Sequence, residues 1–358
     1  MLIVPFLPAS NLFFRVGFVL AERVLYLPSI GFCFLLAIAL SLLAQSSQNH
    51  TSWLNRYSKA LIAALVFLWT IKSIERSSEW RTEKDLYRSG AAVCPQNAKI
   101  HYNLGKVLTD GGLELDAVAK YREALKLNPM YDHAMNNLAN LLQQRGEYAE
   151  AERLLLRAVQ VRADFAAAWM NLGIVQTALG RWVEAETAYH TALGLRSPYP
   201  DCLFNMGNLY VTQNRQHEAL ACWRNATRVK PQHAKAWINQ MILLDNIDDC
   251  EAAVHVGREA LQYVVDEPGV HFSLGSCLGK LSRFEDAEQS LAAAIRLDPL
   301  NAPYYGNLGV LYHRWGKFDR AEASYRRALE LDSGLVGIQK HLEQLVAATK
   351  ANDSAKTK

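Results

Sequence analysis

Between residues 98 and 335 the chain repeats itself every 34 residues, seven times, with no insertion or deletion. The units begin at Ala98, Asp132, Ala166, Pro200, Ala234, Pro268 and Ala302. Their twentieth position is always alanine (Ala117, Ala151, Ala185, Ala219, Ala253, Ala287, Ala321), and so is their twenty-seventh (Ala124, Ala158, Ala192, Ala226, Ala260, Ala294, Ala328). A unit this short cannot enclose a core of its own, so it must bury its apolar face on its neighbours, and the chain has to stack. Each unit reads as a helical hairpin of helices A and B. The alanines mark where the helices cross so closely that only a small side chain fits. Position 8 is Gly or Ala in six units (Gly105, Ala139, Gly173, Gly207, Gly275, Gly309), and position 24 carries the large side chain that fills the gap (Tyr121, Leu155, Tyr189, Trp223, Leu291, Tyr325). The fifth unit departs from this pattern. It has Met241 at position 8, Gln240 before it where Leu is usual, and Gly257 at position 24, and the departure predicts the weakest interface of the array. Pro129, Pro231 and Pro299 end B helices. Residues 336–349 read as an amphipathic helix capping the last unit, and 350–358 as a loose polar tail.

This pattern closely resembles the tetratricopeptide repeat (TPR) family over about two-thirds of the chain. The resemblance implies an all-α superhelical solenoid with a concave groove lined by A helices, a surface for binding rather than for catalysis. Position 6 of helix A is Asn in six repeats (Asn103, Asn137, Asn171, Asn205, Asn239, Asn307), with Ser273 in the other. An amide donates and accepts, so one Asn per repeat would hold an extended polypeptide backbone without reading its side chains. The competing reading is that each amide bonds the neighbouring repeat. The rest of the groove is weakly charged (Tyr102, Lys106, Asn136, Asn140, Met170, Ile174, Phe204, Asn208, Ile238, Phe272) and suits a partly apolar polypeptide. Repeat proteins that clamp acidic chaperone tails need Lys and Asn where this chain has Tyr102 and Lys106.

The apolar residues are unevenly spread. Residues 24–44 are 21 positions without a charge, long enough to cross a bilayer core of about 30 Å. A second span is expected over 57–74, with Lys59 and Lys72 reaching the two interfaces. The organisation expected is a membrane region over 1–75, a linker helix over 76–97, then the solenoid. Met1–Ser10 is apolar but lacks a basic segment and a cleavage site, so it is a poor signal peptide and reads like a span cut in half. With 38 Lys and Arg against 35 Asp and Glu and no basic stripe, a nucleic-acid partner is not expected. The six cysteines include no CxxC pair, so no metal site is expected and the thiols read as small apolar side chains, a disulfide staying open in an oxidising compartment.

The segment FLPASNLFFRVGFVLAERVLYLPSIGF (6–32), above all AERVLYLPS at 21–29, followed by the repeats, resembles the TMTC (transmembrane and TPR repeat-containing) proteins. That resemblance, extending to about residue 349, implies an endoplasmic-reticulum membrane enzyme of the glycosyltransferase-C type. It implies mannose transfer from dolichyl-phosphate mannose to Ser or Thr of lumenal proteins, notably cadherin-like β-sandwich domains, with the solenoid in the lumen. The family's acidic catalytic motif lies upstream of anything matched here, so this chain alone is expected to be catalytically incomplete, and no residue is assigned as catalytic. Glu22 and Arg23, before the first span, are candidates for contact with a lipid-linked phosphate; a structural ion pair is the alternative. Counting Lys and Arg alone puts the solenoid in the cytosol, whereas the resemblance puts it in the lumen. Three sequons start at Asn49, Asn225 and Asn352, and a lumenal solenoid makes Asn352 the preferred acceptor. A non-enzymatic, membrane-anchored scaffold stands as the alternative function.

Overall fold

The computed structural model describes residues 34–35, 37–38, 41–42 and 52–356, and among these it contains 17 helices and no strand. Two compact units meet between Gly90 and Ala91. The first holds α1 (Ser52–Ser78) and most of α2 (Glu83–Val93), separated by a turn. Thr82 starts α2: its hydroxyl accepts from the Asp85 amide at 3.1 Å and donates to the Asp85 carboxylate at 2.7 Å. The segment 76–97 is therefore not one linker helix but the end of α1, a bend and α2.

Among the described residues no helix is long and apolar enough to cross a membrane. The expected span 57–74 lies on α1, where lysines at 59 and 72 confine its charge-free core to 12 residues, Ala60–Ile71. The expected span 24–44 falls largely outside the described residues, and Glu22, Arg23 and Asn49 fall wholly outside them.

In the second unit every repeat opens where the period places it. The A helices are α3 (Ala98–Asp110), α5 (Asp132–Gln144), α7 (Ala166–Ala178), α9 (Pro200–Thr212), α11 (Ala234–Asn246), α13 (Pro268–Lys280) and α15 (Ala302–Arg314). The B helices are α4 (Glu114–Leu127), α6 (Tyr148–Val161), α8 (Trp182–Leu195), α10 (Gln216–Val229), α12 (Cys250–Ala260), α14 (Phe284–Leu297) and α16 (Phe318–Leu331). The tight A-to-B turn has one residue in the left-handed region in every repeat. It is glycine at 112, 146, 180 and 316, and Asn214, Asp248 and Ser282 in the others.

All fourteen alanines at positions 20 and 27 are 0% exposed. The Gly–aromatic pairing is equally tight: a Cβ added at Gly173 would lie 2.7 Å from the Tyr189 ring, and one at Gly309 2.5 Å from Tyr325. The fifth repeat exchanges the two roles. Met241 is fully buried, and its methyl would lie 2.6 Å from a Cβ on Gly257, so the large side chain now comes from helix A. Gln240 is buried too, its amide donating to the Ala236 carbonyl at 3.3 Å. The irregular residues thus compensate one another at the crossing. What the repeat does lose is helix length, since α12 has 11 residues against 14 in the other B helices.

The last repeat is closed by α17 (Val336–Lys356). Leu345 is 1% exposed in a cluster with Tyr312, Ala321 and Tyr325, and Ile338 lies over Gly306. The cap is longer than expected: the helix runs through Asn352 to Lys356, so the backbone of the polar tail is largely helical rather than loose.

Candidate polypeptide-binding groove

Successive A helices touch one another, α5 with α7, α7 with α9, α11 with α13 and α13 with α15, which sets them on the inner side of the stack. Position 6 of each faces this side, but the six asparagines do not form one uniform ladder. Three bond the preceding A helix. Asn137 donates to the Tyr102 hydroxyl at 3.4 Å, Asn171 to Asn136 Oδ1 at 2.8 Å and Asn239 to Asn208 Oδ1 at 3.0 Å. Asn171 is only 6% exposed, so its amide belongs to the repeat interface. Asn205 turns back onto the Asp201 carbonyl, 2.9 Å away. Asn103 and Asn307 are half-buried and make no hydrogen bond among the described residues.

The aromatic groove residues are likewise partly spent on stacking. Tyr102 packs on Tyr131 at 4.9 Å, Phe204 on His233 at 5.0 Å and Phe272 on Tyr304 at 4.8 Å between ring centroids. Two recesses remain open between A helices. One, about 220 Å³, is lined by Asn208, Val211, Asn239, Ile242 and Asn246; the other, about 190 Å³, by Ser276, Lys280, Asn307, Val310 and Arg314. Each combines an amide, which can pair with a peptide group, with apolar side chains that can take a small side chain. Val211 and Ile242 are exposed there.

Tetratricopeptide repeat models match residues 136–200, 200–233, 268–299 and 302–335. The fold is also that of solved repeat proteins. Yeast Tom70 aligns with TM-score 0.56 at 15% identity over 75% of this chain and 58% of that one. A tetratricopeptide repeat protein of Parabacteroides merdae aligns with TM-score 0.51 at 15% identity over 70% and 98%. A Caenorhabditis elegans protein named as a protein O-mannosyl-transferase is 49% identical over 343 residues, 96% of this chain and 49% of its own length. Human TMTC4, also named as a protein O-mannosyl-transferase, is 49% identical over 120 residues, 34% of this chain and 16% of that protein. The chain belongs to the TMTC family. It spans about half the length of the nematode relative, and the matched half contains the whole solenoid.

The solenoid of this TMTC chain holds three features that the spacing alone does not reveal. Glutamates at position 21 reach the next repeat. Glu152 accepts from Arg181 at 2.7 Å; Glu186 accepts from Arg215 at 2.9 Å and from the Tyr210 hydroxyl at 2.8 Å; Glu288 accepts from Tyr312 at 2.6 Å. The Arg215 guanidinium holds the Glu186 carboxyl below the usual carboxylate range against the opposing effect of burial, with a smaller contribution from the Tyr210 hydroxyl. A cleft of about 500 Å³ opens on the B-helix side between α10 and α12, lined by Arg224, Arg228, Trp237, Gln240 and His255. It lies where α12 is short. Finally, Asp245, Cys250 and Cys277 converge from three helices. Their separations in sequence, five and 27 residues, match no common metal motif, which is why the sequence pointed away from any such cluster.

Proposed function

We propose that this chain is the solenoid-bearing C-terminal half of an endoplasmic-reticulum protein O-mannosyltransferase, and that the inner groove binds the acceptor polypeptide. The single observation that carries the reading is the 49% identity to a protein O-mannosyl-transferase across 96% of the chain. In this reading the donor is dolichyl-phosphate mannose and the acceptors are lumenal proteins with cadherin-like β-sandwich domains. The acceptor strand is presented extended, gripped at the two recesses by Asn307 and by the second N–H and the carbonyl that Asn239 keeps beside its bond to Asn208. Asn137 and Asn171 work as spacers that set the pitch between repeats rather than as direct ligands.

The apolar region up to about residue 75 is assigned to the membrane. Five consecutive residues of α1, Leu65, Val66, Phe67, Leu68 and Trp69, are 42–65% exposed. Five residues more than encircle a helix, so the apolar surface faces outward on every side, as lipid contact requires. Glu22 and Arg23 would then meet a lipid-linked phosphate at the lumenal face. A lumenal solenoid carries its N-glycan on Asn352, removed by glycosidase and abolished by Asn352→Gln. Asn225 is a poor acceptor once folded, because Thr227 of its sequon is 3% exposed.

The test is glycopeptide mapping of cells deleted for this protein. O-mannose on β-sandwich domains is expected to fall, to return with the intact protein, and to return only partly with the Asn239→Ala, Asn307→Ala double variant. Unchanged O-mannose on deletion sinks the enzymatic reading and leaves a membrane-anchored scaffold.

A further inference from the structure

The cluster at the junction of the fifth and sixth repeats has the geometry of a coordination site. Asp245 is at the end of α11, Cys250 is the first residue of α12 and Cys277 is in α13; one ligand atom from each lies within 4.8 Å of the other two. The Cys250 thiol donates to Asp245 Oδ1 at 3.2 Å. Both cysteines are buried, at 7% and 1% exposure. The three ligands are rigidly placed. Asp248, left-handed at φ 61°, closes the turn between α11 and α12, and the Asp249 side chain caps α12 by accepting from the Ala252 amide.

We propose that Asp245, Cys250 and Cys277 bind a thiophilic divalent cation of the zinc type, which clamps the fifth repeat onto the sixth. Zinc binds sulfur at about 2.3 Å and carboxylate oxygen at about 2.1 Å in a tetrahedron, so bound sulfurs lie about 3.8 Å apart and each sulfur lies about 3.6 Å from the oxygen. The separations present therefore need shifts of only about 1 Å. Charge fits as well. Two thiolates and a carboxylate around a doubly charged ion leave one negative charge in excess. Lys280, whose Nζ lies 2.7 Å from Asp245 Oδ1, supplies the balancing positive charge. Lys280 also orients the carboxylate, as an outer-shell partner does. A water molecule would fill the fourth position, since the site is open to solvent at Asp245, whose side chain is 22% exposed. Zinc binds cysteine as the thiolate. Each ion bound therefore releases two thiol protons to solvent and oxidises nothing. The clamp sits where it is most needed, beside the B helix that is three residues shorter than the rest.

The test is a Co2+ titration of the full chain under a phosphine reductant. A thiolate-to-cobalt charge-transfer band and tetrahedral ligand-field bands are expected at one ion per chain, with two protons released and with displacement by Zn2+. Cys250→Ser and Cys277→Ser each abolish the bands, Asp245→Asn weakens binding at least tenfold, and Cys222→Ser changes nothing. Because a serine variant in the core can misfold, the unsubstituted chain provides a second measurement: Zn2+ raises its thermal midpoint. The proposal is overturned if no bands and no Zn2+-dependent stabilisation appear while both thiols react in denaturant, or if the bands survive loss of either cysteine.

Discussion

At the scale of single residues, the solenoid rests on a strict alternation of small and large side chains at the A/B crossing. Every alanine that the period singled out is fully buried, so this part of the core was legible from the sequence. The exchange of roles between Met241 and Gly257 was not, because two off-pattern residues read separately as two defects and only their contact makes them a pair. Gly173→Ala tests the crossing. Alanine is the better helix former by about 1 kcal/mol, but its methyl meets the Tyr189 ring, which is 1% exposed and has nowhere to move. Overpacking wins, and chemical denaturation should show a net loss of about 1–2 kcal/mol. Tyr325→Phe should have the opposite sign. Tyr121 and Tyr189 reach threonine hydroxyls at 3.3 and 3.5 Å, whereas the buried Tyr325 hydroxyl, with His313 at the equivalent position, has no partner among the described residues. Removing it should leave stability unchanged or raise it by up to about 1 kcal/mol, while Tyr189→Phe should not be stabilising.

At the scale of helices, the repeat starts read from the sequence coincide with the starts of all seven A helices. The ends were harder to read. The extension of α17 through Asn352 and the bend after α1 depend on helix propensity and local capping, and neither leaves a periodic trace. The Asn ladder was legible as a pattern but not as a role. An amide can face a ligand or the next repeat, and the period does not reveal that Tyr102, Asn136 and Asn208 stand within hydrogen-bond reach of three of the six. The clasp between repeats is open to a pH test. Glu186 has a lowered carboxyl pKa in the folded chain, so its contribution is complete above the unfolded glutamate value and is lost as pH falls through the folded one. Glu186→Gln should therefore destabilise the solenoid at neutral pH, and the gap to the unsubstituted protein should close in acid. A gap that stays constant down to the acid transition would show that the carboxylate charge contributes nothing.

At the scale of the whole molecule, nearly all of this chain is matched to a relative named for an enzymatic activity, but it spans only about half of that relative's length. A repeat stack of this kind supplies surface rather than reacting groups, and the function proposed for it is to hold the acceptor chain. That claim concerns one face of the stack. It is tested by placing a photoactivatable side chain at Ile242, in the Asn239 recess on the A-helix side, or at Thr187 on the exposed flank of α8, and irradiating the full chain with a β-sandwich acceptor held unfolded. Crosslinks from position 242 that fade in the Asn239→Ala, Asn307→Ala background, with few from position 187, are the predicted result. Equal crosslinking from both positions, or none from 242, would contradict the assignment of the inner groove as the acceptor site.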